Sequence, residues 1–135
     1  MARIDNVIGL LRNVDDAQNF KFPTANIEHI STLTGTTPTI DCSVANVFSI
    51  TLTGNTTFTI DYSNITLTTD DAFTFTLLIT QDSPTEHTIT FPASCKFQSG
   101  VVPLAPARGD LDIYVCFTID GGTNWNVFKA GEDMS

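Results

Sequence analysis

Few side chains in this sequence are equipped for chemistry, and they lie far apart. His29 and His87 are the only imidazoles, and only His87, in the stretch EHTITF, has a carboxylate beside it, Glu86. An imidazole next to a carboxylate has the ingredients of an acid–base pair, but such a pair works only on a third group held within reach. No GxSxG or comparable nucleophile context accompanies His87. It reads as a surface residue at the end of a strand, no catalytic residue is assigned, and the expectation is a protein that is not an enzyme.

The remaining candidates point the same way. Cys42, Cys95 and Cys116 are odd in number and widely spaced, with no CxxC pair to suggest zinc or a redox centre. In strand-like text a reduced cysteine behaves as a small hydrophobe. Carboxylates occur as Asp15-Asp16, Asp70-Asp71, Asp110 with Asp112, and Asp120 before two glycines. Calcium needs six to eight converging oxygens; none of these groups has the spacing of an EF-hand loop, and aspartate suits turns through its own side-chain hydrogen bonds. No metal and no cofactor are therefore assigned. Arg108-Gly109-Asp110 matches an integrin-type tripeptide, but a three-residue match is weak and the segment reads as a turn. Trp125 and Tyr114 carry rings that would stack on a sugar if exposed; a lone Trp in NWNVF is more often core or interface.

The totals narrow the class. The 135 residues carry a formal charge of −9 with only six Lys plus Arg, which leaves no basic stripe for phosphate and excludes a nucleic-acid role. The same acidity disfavours an anionic membrane surface. No apolar run approaches the roughly 20 residues of a spanning helix, and the N-terminus lacks the pattern of a signal peptide, so synthesis in a cytoplasm is expected. Thr is the commonest residue at 22. A β-branched side chain loses rotamer freedom in a helix and suits a pleated surface, so one all-β domain is expected, since the length supports a single core.

The elements that position these residues follow from periodicity. In VFSITLTGNTTFTIDY (47–62), Phe48, Ile50 and Leu52 alternate before Gly54-Asn55 and Phe58, Ile60 and Tyr62 alternate after it. This is the signature of a hairpin with all six side chains on one face. Further strands are expected over 73–81, 87–91, 111–119 and 124–129, with two short ones near 27–33 and 39–43. In LDIYVCFTI, the buried face should be Leu111, Ile113, Val115, Phe117 and Ile119. Turn text at this spacing predicts an antiparallel β-sandwich or barrel-like domain. The opening stretch MARIDNVIGLLR differs: Ile4, Val7, Ile8 and Leu11 form an i, i+3, i+4, i+7 stripe. A short helix of this kind needs a surface to lie against. The expected division is residues 1–38 as a helical or extended docking arm and connection, and 39–135 as the β-domain.

Four blocks in order, NVFSITLTGNTTFTI, FTFTLLITQD, HTITFPASCKF and FTIDGGTNWNVFKAGEDMS, resemble a β-rich module of tailed-bacteriophage virion proteins of the tail-fibre, head-fibre and capsid-decoration types. The resemblance covers residues 39 to 135. It implies a virion structural protein, a homotrimer without enzymatic activity. The module commonly has Trp where this chain has Phe91 and Phe97, a change that keeps aromatic packing. It usually ends a longer fibre, whereas here only the segment 1–38 comes before it. That shortness directs the expectation to a capsid decoration or cement subunit on the capsid surface. It would bind the major capsid protein through Ile4, Val7, Ile8, Leu11, Phe20 and Phe22 and stabilise contacts between capsomers. The alternative is a receptor- or glycan-binding module of a tail fibre or baseplate, contacting its target through Trp125, Tyr114 and the loops at 82–86 and 100–110.

Overall fold

The computed structural model describes residues 28–82 and 84–134. The N-terminal stripe and Ile4, Val7, Ile8, Leu11, Phe20 and Phe22 lie outside the described residues. Ten strands follow in order: β1 (Ile30–Thr32), β2 (Thr39–Asp41), β3 (Val47–Thr51), β4 (Thr56–Thr57), β5 (Thr59–Asp61), β6 (Phe73–Thr80), β7 (Ile89–Thr90), β8 (Cys95–Phe97), β9 (Leu111–Thr118) and β10 (Trp125–Gly131). The class is all-β. A six-stranded sheet runs β1-β3-β6-β9-β10-β8, with two-stranded sheets β2-β5 and β4-β7 beside it.

The expected hairpin at Gly54-Asn55 does not form. β3 runs parallel to β1 and β6, β5 parallel to β2, and β4 parallel to β7. Among the described strands only β6/β9 and β9/β10 are antiparallel. The pairing is therefore mixed and mostly parallel, not that of an antiparallel sandwich.

The physical reason is an internal repeat, TLTGTTPTIDCS at 32–43 and TLTGNTTFTIDYS at 51–63. Each copy wraps round a common core and returns one strand spacing further along, so like residues stack: Thr39 on Thr59, Ile40 on Ile60, Asp41 on Asp61. A third tier completes the coil. Thr57 N donates to Thr36 O (2.8 Å) on one side, while Thr56 N and Phe58 N donate to Thr88 O (2.8 Å) and Thr90 O (2.9 Å) on the other. Gly54 serves this stacking rather than a turn. A Cβ there would sit 2.8 Å from the Thr36 methyl of the tier below.

The inner face of the six-stranded sheet buries Phe48, Ile50, Leu52, Phe75, Leu77, Ile79, Tyr114, Cys116, Trp125 and Val127 against Ile40, Phe58 and Ile89. Trp125 sits at the centre, its ring centroid 5.3 Å from Phe75, 6.1 Å from Tyr62 and 6.2 Å from Phe73. Phe91 bridges Phe58, Phe97 and Tyr114 at 5.5–5.7 Å, so both phenylalanines noted in the resemblance do pack aromatically.

β9 is turned over relative to the sequence expectation. Asp112, Tyr114, Cys116 and Thr118 face the core, while Leu111, Ile113, Val115 and Phe117 lie half-buried on the outer face and Ile119 is exposed. Register explains the inversion. Tyr114 stands opposite Leu77 and Cys116 opposite Phe75, and the buried Asp112 carboxylate is satisfied by Lys129 Nζ at 2.8 Å and Asp133 N at 3.1 Å.

Candidate functional site

A groove of about 530 Å³ lies between the segment 86–89 and the segment 102–106. Both walls are tied to the end of β6 by one side chain. Gln81 is buried, and its Nε2 donates to the carbonyls of His87 (2.9 Å) and Pro106 (3.1 Å), while its Oε1 accepts from His87 N (3.1 Å). Its own backbone N donates to Asp110 O at 2.9 Å. A buried amide with all these bonds made is costly to disturb, so the loops are held in one arrangement.

The outer wall is the strap Val101-Val102-Pro103-Leu104-Ala105. Its middle is anchored from beneath by Tyr114, whose hydroxyl lies 2.9 Å from Leu104 O and 3.2 Å from Asp112 Oδ2, sharing its one proton between them. Burial, then the Asp112 charge, push that phenol well above its ordinary value, so it stays a donor. The Leu104 side chain points away from this anchor and is 83 % exposed, with Val101 and Val102 exposed beside it. A second hollow of about 370 Å³, lined by Phe97, Val101, Pro103 and Phe128 among others, lies on the other flank. The strap is thus an apolar ridge with a depression on each side.

Of the residues singled out from sequence, Trp125 and Tyr114 are both 0 % exposed, so neither offers a stacking surface to a sugar; both belong to the core because β9 and β10 present them inward. The loops at 82–86 and 100–110 do converge, and they border the groove. His87 lines it through a partly exposed side chain, with Glu86 next to it. Glu86 is engaged by Arg108 at 3.4 Å, and Arg108 Nη1 also donates to Pro84 O at 3.2 Å. The Arg-Gly-Asp stretch is a turn across the groove's end, with Gly109 at φ +83° and Asp110 N donating to Ala107 O.

Asp71 and Asp120 serve turns. Asp71 accepts from Thr68 N and Oγ1, and Asp120 accepts from Asn124 N, Asn124 Nδ2 and Thr118 Oγ1. These hydrogen bonds hold both carboxyls below their ordinary range. Among the described residues no group of three His, Cys, Asp or Glu side chains is placed to hold a metal. Cys42, Cys95 and Cys116 are free and buried. Desolvation pushes the Cys42 thiol up to about 12 and Cys95 to about 11, and raises Cys116 further still. Sequence reasoning named the 100–110 loop without singling out Val102 and Leu104 in it, and it missed Gln81. The available signal was VVPLAPA, an apolar run too broken by proline to be a strand and too greasy to be an ordinary turn.

A scaffold built almost entirely of strands thus holds a fixed apolar ridge over a shallow groove. Residues 33–109, more than half of the chain, match the family described as "Putative phage tail fibre C-terminal domain", and the chain belongs to that family. It is a bacteriophage structural protein. No curated protein and no solved structure gives a significant match.

Proposed function

We propose that this chain is the receptor-facing module of a phage tail fibre, which binds a host-surface protein through the Val101–Ala105 ridge and its groove and catalyses no reaction. The observation that carries the reading is the ridge itself: an 83 %-exposed Leu104 on a backbone fixed by Tyr114 and Gln81. Exposed apolar side chains on a rigid support bind with little ordering cost. The matched segment 33–109 includes both groove walls, which favours the tail-fibre alternative over a capsid decoration role. A protein target is favoured over a glycan because the groove lining contains no Trp, Tyr or Phe, the rings on which sugar faces stack. Self-association into a homotrimer is part of the proposal, since several copies of a shallow site gain avidity.

The test is adsorption of the purified protein to host cells. Wild type should bind, Leu104→Asp should lose binding with its melting temperature unchanged, and protease treatment of the cells should abolish binding while periodate treatment should not. Antibody labelling on virions should fall on the tail; labelling on the head would overturn the proposal and restore the decoration reading.

A further inference from the structure

The outer face of the six-stranded sheet carries a band of apolar side chains interspersed with Thr32, Ser49, Thr74, Thr76 and Asn126. Register aligns Ile30, Val47, Thr76, Val115 and Phe128 in one row, with Leu78 and Ile113 in the adjacent row. Phe117 stacks on Phe128 at 5.7 Å and 5°. No charged side chain stands in these positions although the chain carries −9. Phe128 is 45 % exposed and Ile30 52 %, and both two-stranded sheets lie on the opposite, core side.

Four strand spacings by six residues make this face roughly 20 Å by 20 Å. Two copies meeting on it would bury only about 800 Å² in total, short of the ~1,000 Å² a stable interface between separate molecules needs. A tethered segment escapes that limit, because its effective concentration is in the millimolar range. One is at hand. The segment 1–27 joins the described chain at Glu28, just ahead of Ile30, the first member of the apolar row, on the edge strand of this face. Residues 13–27, extended, reach up to about 50 Å, more than twice the width to be crossed. Beyond them lies the Ile4, Val7, Ile8, Leu11 stripe, and three helical turns are about 16 Å long.

We propose that residues 1–27 fold back in the same chain and cover the outer sheet face, the Ile4–Leu11 stripe lying on Val115, Phe117 and Phe128. The test uses the full chain with Val7→benzoylphenylalanine, irradiated and mapped by peptide mass spectrometry in a mixture of isotopically light and heavy protein. Cross-links to residues 111–118 and 125–131, all light-to-light or heavy-to-heavy, are expected. Cross-links to other segments, none at all, or mixed light–heavy pairs, the mark of a second copy, would overturn the assignment. As a second measurement, Val7→Glu combined with Leu11→Glu should raise binding of an apolar-surface dye several-fold without loss of the folded transition. Unchanged dye binding would overturn it too.

Discussion

Lys129→Met should be among the most destabilising single changes on the C-terminal strand. Lys129 Nζ lies 2.8 Å from Asp112 Oδ2 and 2.8 Å from Glu132 Oε1, with Asp112 wholly buried and Lys129 only 19 % exposed. Removing the ammonium strands a carboxylate in the core. Breaking a buried pair from one side costs about 3–5 kcal/mol, and because Asp133 N and the Tyr114 hydroxyl still donate to Asp112, the low end, about 3 kcal/mol, is expected. For a domain near 100 residues this lowers Tm by roughly 10–20 °C. Glu132→Gln, at a 68 %-exposed partner, should cost less than about 1 kcal/mol. Adding Asp112→Asn to Lys129→Met should recover a large part of the loss, since the stranded charge is gone, giving a coupling of about 2 kcal/mol in the double-mutant cycle. The pH dependence has a definite sign. Burial opposes the Lys129 charge, but the hydrogen bonds to Asp112 and Glu132 outweigh it and hold the pKa above the ordinary 10.5. The advantage of wild type over Lys129→Met is therefore complete below pH 10.5 and lost as pH rises through the folded-state value. Urea unfolding monitored by Trp125 fluorescence measures all of these. A Lys129→Met loss below about 1 kcal/mol would refute the premise that Asp112 depends on this partner.

Gly122→Ala should destabilise by about 2 kcal/mol or more, by urea unfolding, because Gly122 sits at φ +85° and an added Cβ would meet the Tyr62 ring at 2.7 Å. The three thiols should resist a thiol reagent at pH 8 in the folded protein and all react once it is unfolded, since each is buried with a raised pKa. Acid should weaken the turns at Asp61, Asp71 and Asp120: each carboxyl is held below 3.8 by its hydrogen bonds. Their stabilisation is present above that value and lost as pH falls through the lowered pKa, visible as a falling Tm between pH 4 and 2 in wild type that is reduced in Asp71→Asn. Ile113→Asp should leave the fold intact in circular dichroism, because Ile113 lies on the outer face.

Strand positions were legible because period-two alternation is a local signal: β3, β6, β9 and β10 all start within a residue of where the pattern puts them. Pairing was not. The Gly54-Asn55 dipeptide matches a hairpin turn, yet the choice between folding back and coiling onward depends on whether Thr57 will find Thr36 as its neighbour, a contact no local pattern announces. β8 escaped notice because Pro92 ends the preceding strand text and only Cys95 to Phe97 pair with β10. The groove was half legible: its loops were identified, but the rings assigned to them were core. Counting hydrophobes on each side of LDIYVCFTI favours Leu111, Ile113, Val115 and Phe117 as the inner set, and that count fails when the outer face is itself apolar.

Stacking like on like has an electrostatic consequence for the coil that bears on its rigidity. Placing Asp41 in register with Asp61 sets two carboxylates on neighbouring tiers, an arrangement that like-charge repulsion opposes. Each is drawn away into its own turn. Asp41 Oδ1 accepts from Ser43 N at 2.9 Å and Ser43 Oγ at 2.6 Å, and Asp61 Oδ1 accepts from Ser63 N at 2.9 Å. Meanwhile Thr39 and Thr59 join through their hydroxyls at 2.9 Å. The repeat D-x-S therefore closes each corner of the coil by local bonds and leaves the stacking to threonine. Corners fixed this way leave little slack in the tiers, and the third tier hands that stiffness to Gln81 and the ridge. Replacing Asp41 and Asp61 by Ala should consequently raise amide exchange at Val102, Leu104 and Ala105 as well as at the corners themselves; exchange confined to residues 41–45 and 61–65 would show that the ridge is held by Gln81 and Tyr114 alone.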